Sequence, residues 1–418
     1  MVSSSMLSQA AISACNFAVG LLLIRRTPHA QYGLYVLIVA GVQLLTQAQQ
    51  AFIGPELVRQ IAGQELEGRR AFVGGAFREQ RRWLALLAAV AIIGLVGLWF
   101  LKLVATPLLP LYIAAILAGL CTLFREYFRM VLIAYRLPLQ ALKGDMVYIA
   151  VLFSGAFAAT LTTSPAAVAA GALALAAAMG GWLLSRMVWR HEGWDPKGSP
   201  KVVGEMAPLG TWALIGAAIH WSFSQGFIYV VAGTLGVTAV ATISATRLLL
   251  MPVNLMSTGM GSMTYPTVQR WLHHHRVGEV FKRLVLLVLG IASMAVLYEL
   301  TMWVFRDWIF AHVVKGKFAN RDTLILLWSA VFLLMAMRDQ MMYLPAARGR
   351  FRIMAWLTLF TAILSLTTCY VCMRLFGIPG ALVGVLSGEA INIVGFIALS
   401  LREISRARTE PLPAGAVQ

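Results

Sequence analysis

The chain has 418 residues, 60% of them hydrophobic and only 12% charged, and its mean hydropathy is +0.78. Soluble domains carry roughly 25% charged residues, so this composition excludes a water-soluble globular fold. The net charge of +17 does not point to nucleic acid, because membrane proteins gather Lys and Arg in their cytoplasmic loops.

About 20 consecutive apolar residues cross a bilayer core. Pro, Gly and charge clusters punctuate about twelve such spans: 4–25, 33–54, 83–101, 107–135, 144–163, 165–187, 208–231, 237–262, 283–305, 322–344, 352–374 and 378–401. The first has no basic leader and no small-residue cleavage site after it, and is expected to be a retained helix. The third, WLALLAAVAIIGLVGLWFL, is the cleanest. The connections after even-numbered spans and the C-terminal tail hold 25 Lys and Arg, those after odd-numbered spans hold 8, and Arg247 lies alone inside the eighth span. That asymmetry predicts cytoplasmic termini.

Three correspondences suggest duplication. PELVR (55–59) answers PTVQR (266–270) 211 residues on, Arg125-Glu126 answers Arg338-Asp339 213 on, and Pro165 answers Pro379 214 on. The expected fold is an all-α integral membrane protein of two six-helix lobes related as parallel repeats. The lobes are expected at 1–190 and 208–403, with a cytoplasmic linker at 191–207 and a disordered cytoplasmic tail at 404–418. Such repeats are a common build for transporters, with the binding site between the halves.

An ionisable residue inside a span is a functional hypothesis by default. Arg125 and Arg129 share one face of the fourth span, beside Glu126; Arg338 and Asp339 repeat the pattern in the tenth; Arg247 lies deep in the eighth, near Pro252 and Asn254. One reading has arginines snorkelling to headgroups, as suits Arg129, Arg136, Arg348 and Arg352. The other has Arg125, Arg247 and Arg338 facing one cationic cavity, where guanidinium groups would grip a phosphate or pyrophosphate bidentately. His220, in HWSFSQGF, is either a buried bonded histidine or a protonation switch in that cavity. Glu126, Asp145, Asp339 and Glu389 are candidate carriers of a coupling proton or sodium ion, as is Glu299. Gly380, Gly384 and Gly388 recur every four residues and suggest a close-packing face.

Cys15, Cys121, Cys369 and Cys372 show no metal spacing, and WLHHHR (271–276) reads as a solvated loop. The basic loop 59–82, with Arg69, Arg70, Arg78, Arg81 and Arg82, is expected against anionic inner-leaflet lipids. No phosphate-binding loop, nucleophile elbow or zinc signature is present, so neither an enzyme nor a resident cofactor is expected.

NFAVGLLLIRRTPHAQYGLYVLIVAGVQLL (16–45), GPELVR (54–59) and the six-plus-six layout resemble polysaccharide flippases of the multidrug/oligosaccharidyl-lipid/polysaccharide exporter superfamily. The resemblance implies two six-helix lobes and alternating access. It also implies translocation of undecaprenyl-pyrophosphate-linked oligosaccharide across the bacterial inner membrane for O-antigen, capsule or exopolysaccharide assembly, with ion coupling in some members. The polyprenyl-pyrophosphate glycan would be held in a cavity lined by Arg125, Arg129, Arg247, Arg338, His220 and Asn254. Polysaccharide polymerase and chain-length machinery would be partners. A multidrug/cation antiporter of the same superfamily is the alternative, disfavoured because it would favour a carboxylate-lined, aromatic cavity, whereas the intramembrane surplus counted here is basic. An outer-face glycan polymerase or ligase would need a large external loop, and the longest available is 306–321, with Arg306, His312 and Arg321.

Overall fold

The structure is a computed structural model that describes residues 2–195, 197–198, 202–314 and 320–409. Among them the chain is helical, without a strand. Twelve long helices follow in order. They are α1 (Val2–Arg26), α2 (His29–Gly63), α3 (Leu66–Phe100), α4 (Leu109–Ala134), α5 (Pro138–Ala159) and α6 (Pro165–His191), then α7 (Val202–Leu235), α8 (Val237–His274), α9 (Val277–Val304), α10 (Arg321–Met341), α11 (Phe351–Phe376) and α12 (Ile378–Thr409). All twelve contain a stretch long and apolar enough to cross a bilayer. Short helical turns at Arg306–Ile309, Phe310–Val314 and Tyr343–Ala347 follow α9 and α10.

The helices outrun the apolar spans at several ends. The segment 59–82, expected as a loop, is helical on both sides of a break at Gln64 and Glu65. Its Arg, Glu, Gln and Ala are good helix formers, and Glu67 complements the helix dipole in the first turn of α3. Hydropathy sees only the part of a helix that lipid buries. For the same reason α8 continues through Pro252 and Pro266, so the histidines of WLHHHR cap a helix rather than line a loop. His273 and His274 occupy its last turn, and His275 Nδ1 lies 3.5 Å from Glu279. The linker expected at 191–207 is shorter, since α7 begins at Val202. Residues 404–409, expected as disordered tail, belong to α12; the tail 410–418 and positions 315–319 of the 306–321 connection lie outside the described residues.

The chain divides into two compact units, Met1–Trp221 and Ser222–Gln418, so the division falls inside α7. In the first unit α4 is central, packing on α2, α3, α5 and α6, while α1 packs on α5. Gly181 makes the α4–α6 approach possible: a Cβ there would meet the Phe124 ring at 2.7 Å and the Arg125 backbone at 3.0 Å. Leu57, Phe72, Tyr127, Phe128 and Leu184 fill the core. The linker closes over this core: Trp194 packs against Phe77 and Phe128, and the Asp195 N–H donates to the Arg70 carbonyl at 3.1 Å.

In the second unit α10 packs on α8, α9 and α12, and α11 on α12. The glycine stripe of α12 is the α11 contact. A Cβ on Gly380 would strike the Cys372 carbonyl, one on Gly384 the Cys369 backbone, and one on Gly388 the Ser365 side chain at 2.7 Å. The expected close-packing face is present.

Candidate functional site

Among the described residues, each unit holds a cluster of arginines and carboxylates inside its transmembrane helices. In the first unit α4 presents Arg125, Glu126 and Arg129 within a little over one turn, and α5 presents Asp145 opposite them. Asp145 is 0% exposed. Its carboxylate accepts hydrogen bonds from the Ser8 hydroxyl of α1, from Arg125 Nη2, and from Arg129 Nε at 3.1 Å. Glu126 accepts from Arg129 Nη1 at 3.2 Å and from Gln50 of α2 at 2.8 Å, and lies 3.9 Å from Arg125. The Arg125 guanidinium also sits 4.0 Å from the Tyr148 ring centroid, a favourable cation–π contact. Two guanidinium groups thus meet two carboxylates in a closed, charge-balanced set.

In the second unit Arg338 of α10 lies between two carboxylates. Its Nη1 is 2.8 Å from Glu389 of α12, and its Nη2 donates to Asp339 at 2.7 Å. The Arg338 guanidinium stands 5.5 Å from the Phe223 ring centroid. Asp339 also accepts from the Ser257 hydroxyl of α8 at 3.3 Å, and Gln340 donates to the Ser257 carbonyl at 3.1 Å.

Snorkelling and an open cationic cavity both fail to describe Arg125 and Arg338. Both are buried, and carboxylates of their own unit hold them. The basic surplus inferred by counting arginines is absent from these clusters: Arg125, Arg129 and Arg338 face Glu126, Asp145, Asp339 and Glu389. Sequence reading found every one of these ionisable residues and set Glu126 beside Arg125 and Arg129 and Asp339 beside Arg338, but not the pairing with Asp145 and Glu389.

Other expected site residues lie elsewhere. Arg247 is half-buried in α8; its Nη1 donates to Gln225 at 3.0 Å and its guanidinium lies 5.5 Å from the Trp328 ring centroid. Asn254, two turns further along α8, is half-buried. His220 is exposed on α7, at the end of the first unit, where Trp221 donates to the Ala40 carbonyl at 3.0 Å. Arg348 and Arg350 pair with Glu403 at 3.4 and 2.7 Å, a cluster that sequence reading missed because Glu403 lay beyond the expected last span. Among the described residues no group of His, Cys, Asp or Glu is placed to hold a metal ion.

No protein-family model matches this sequence. No curated protein matches it either. Solved structures do. An inward-facing multidrug resistance MATE family transporter of the MOP superfamily superimposes with a TM-score of 0.76 at 15% identity, over 95% of this chain and 96% of that one. A MATE structure in the straight conformation gives 0.66 at 15% identity, over 97% and 95%. An outward-facing MATE family transporter gives 0.61 at 15% identity, over 98% and 95%. This chain has their fold. It is a multi-pass membrane protein with the two-lobe, twelve-helix architecture.

Proposed function

We propose that this chain is a secondary transporter working by alternating access, an ion-coupled exporter of organic solutes of the multidrug kind. The observation that carries the reading is the charge balance of the buried clusters. A cavity built to draw in a pyrophosphate needs positive charge not already neutralised. Here the buried Arg125 and Arg338 and the half-buried Arg129 are neutralised by Asp145, Glu126, Asp339 and Glu389. Carboxylates inside a membrane protein suit proton or sodium coupling and the reception of a cationic or amphiphilic solute. The fold shared with MATE transporters over nearly the whole chain supports the same reading.

The test is transport by the purified protein in liposomes. With a proton or a sodium gradient imposed, accumulation of ethidium should exceed that of empty liposomes and collapse when the gradient is dissipated. No accumulation under either gradient, with translocation of undecaprenyl-pyrophosphate glycan by the same liposomes, would overturn the reading.

That second outcome belongs to the flippase reading, which one observation favours. Arg247 lies mid-span and half-buried in α8, where its guanidinium donates to Gln225 at 3.0 Å and faces the Trp328 ring, and a guanidinium at that depth is a group that can grip a phosphate. Under that reading the substrate is a polyprenyl-pyrophosphate glycan entering from the cytoplasmic leaflet of a bacterial inner membrane. Native mass spectrometry should then show the lipid on wild type and not on Arg247→Ala. Equal retention by both would remove Arg247 from the argument.

A further inference from the structure

We infer that Glu299 is a proton-binding site of the second unit, and, where the exporter reading above holds, the residue that carries its coupling proton. Glu299 lies on the buried stripe of α9 that runs through Val280, Leu284, Val288, Ile291 and Ala295. It is 7% exposed, its Oε1 is fully buried, and it has no hydrogen-bond or ion-pair partner among the described residues. This sets it apart. Asp145, Glu126, Asp339 and Glu389 have arginine partners, as do buried Glu56, with Arg59 at 2.6 Å, and Glu403.

The distinction is chemical. A carboxylate bonded to a guanidinium is neutralised by a group that does not give up its proton, so it needs none of its own. An ionised carboxylate buried without a partner costs far more than the neutral acid. Glu299 is therefore occupied by a proton while its surroundings stay dry, and wetting of those surroundings releases it. Opening and closing of a transporter supplies that change of hydration.

The neighbouring structure offers a route. The Tyr298 hydroxyl donates to the Leu249 carbonyl at 2.7 Å, pinning α9 to α8 beside Glu299. One turn on, Met302 lines a cavity of about 10 Å³ with Leu250, Arg306, Phe310 and Ile325, the size of a single water. Arg306, about two turns or ~10 Å beyond Glu299, reaches from that cavity toward Asp322 at 3.6 Å and Asp307 at 3.9 Å, both solvent-accessible. Of the other charged groups on the packed helices, α8 offers Arg247, which contacts Gln225 and Trp328, and, at its far end, Arg270, His273 and His274. On α10 none lies between Asp322 and Arg338, and on α12 Glu389 and Glu403 are paired. The remaining charges of α9, Glu279, Lys282 and Arg283, sit at its opposite end.

The experiment compares wild type with Glu299→Gln, which keeps shape and polarity but cannot take up a proton. Infrared spectra of both in liposomes read the carbonyl stretch of a buried carboxylic acid directly. Parallel liposomes are assayed for ethidium accumulation under a proton gradient and for ethidium counterflow without one. We expect an acid band in wild type that Glu299→Gln lacks, and a variant that keeps counterflow but accumulates no more dye than empty liposomes. An acid band unchanged in the variant overturns the proton site. Full gradient-driven accumulation by the variant overturns its coupling role. A band lost in the variant, with wild type transporting no dye, leaves the proton site standing and removes the exporter reading instead.

Discussion

Asp145→Asn is the sharpest test of whether the buried arginines are structural. The substitution keeps the side chain's size but removes the charge toward which Ser8, Arg125 and Arg129 all point. Arg129 would keep Glu126 at 3.2 Å, whereas Arg125 would keep only the same carboxylate at 3.9 Å. One guanidinium is thus left nearly unpaired in a fully buried site, and breaking a buried pair from one side costs about 3–5 kcal/mol. At about 2–4 °C per kcal/mol for a unit of this size, melting of the detergent-solubilised protein should fall by roughly 6–20 °C, followed by tryptophan fluorescence. The double variant Arg125→Met, Asp145→Asn leaves Arg129 and Glu126 as a balanced pair and should recover at least half of that loss. A single variant melting within about 2 °C of wild type would refute the argument. It would mean that Arg125 does not depend on Asp145 and is available to a substrate.

Four further outcomes follow from the packing of the two units. Glu389→Gln should cost less than Asp145→Asn, about 1.5–3 kcal/mol in the same melt, because Arg338 retains Asp339 at 2.7 Å. Gly384→Ala should destabilise by about 1–3 kcal/mol, since its new methyl meets the Cys369 backbone, which no rotamer change can clear. Gly290→Ala is the control: nothing lies within 4 Å, so the melt should stay level or rise by up to about 1 kcal/mol from helix propensity. Gly74→Ala should push the linker off α3, because its Cβ would overlap the Asp195 carbonyl; faster tryptic cleavage after exposed Lys197 reads this, and an unchanged rate would refute it.

The membrane fold was legible because lipid-buried length and apolar composition are local properties, readable one window at a time. The helical ends at 59–82 and 270–276 were not, since hydropathy falls silent where a helix leaves lipid but keeps its backbone hydrogen bonds. The glycine stripe of α12 was legible from its four-residue spacing alone. The charge clusters were half legible. Arg125 and Asp145 are 20 residues apart and Arg338 and Glu389 are 51 apart, so no periodicity links them; only the packing of α4 on α5 and of α10 on α12 makes them pairs. Counting arginines without their partners produced a basic surplus that the fold removes. Glu299 was visible as an oddity in a span, but its lack of a partner among the described residues is a property of three neighbouring helices and of no sequence motif.

The pairing also separates the two lobes that the sequence repeat makes look equivalent. Arg125-Glu126 and Arg338-Asp339 occupy matching positions, yet Arg125 takes its second carboxylate from α5 and Arg338 takes its own from α12. The first cluster closes on itself, with two arginines, two carboxylates and a serine hydroxyl committed to Asp145. The second divides one arginine between two carboxylates, and the same unit buries Glu299 with no partner among the described residues. A balanced set resists taking up or releasing a proton, because either change leaves a charge uncompensated in hydrocarbon. A set with carboxylates to spare can exchange a cation without that penalty. Under the proposed exporter reading, ion coupling would therefore belong to the second unit. Neutralising Asp145 should accordingly lower stability without altering the proton dependence of whatever transport survives, whereas neutralising Glu299 should do the reverse.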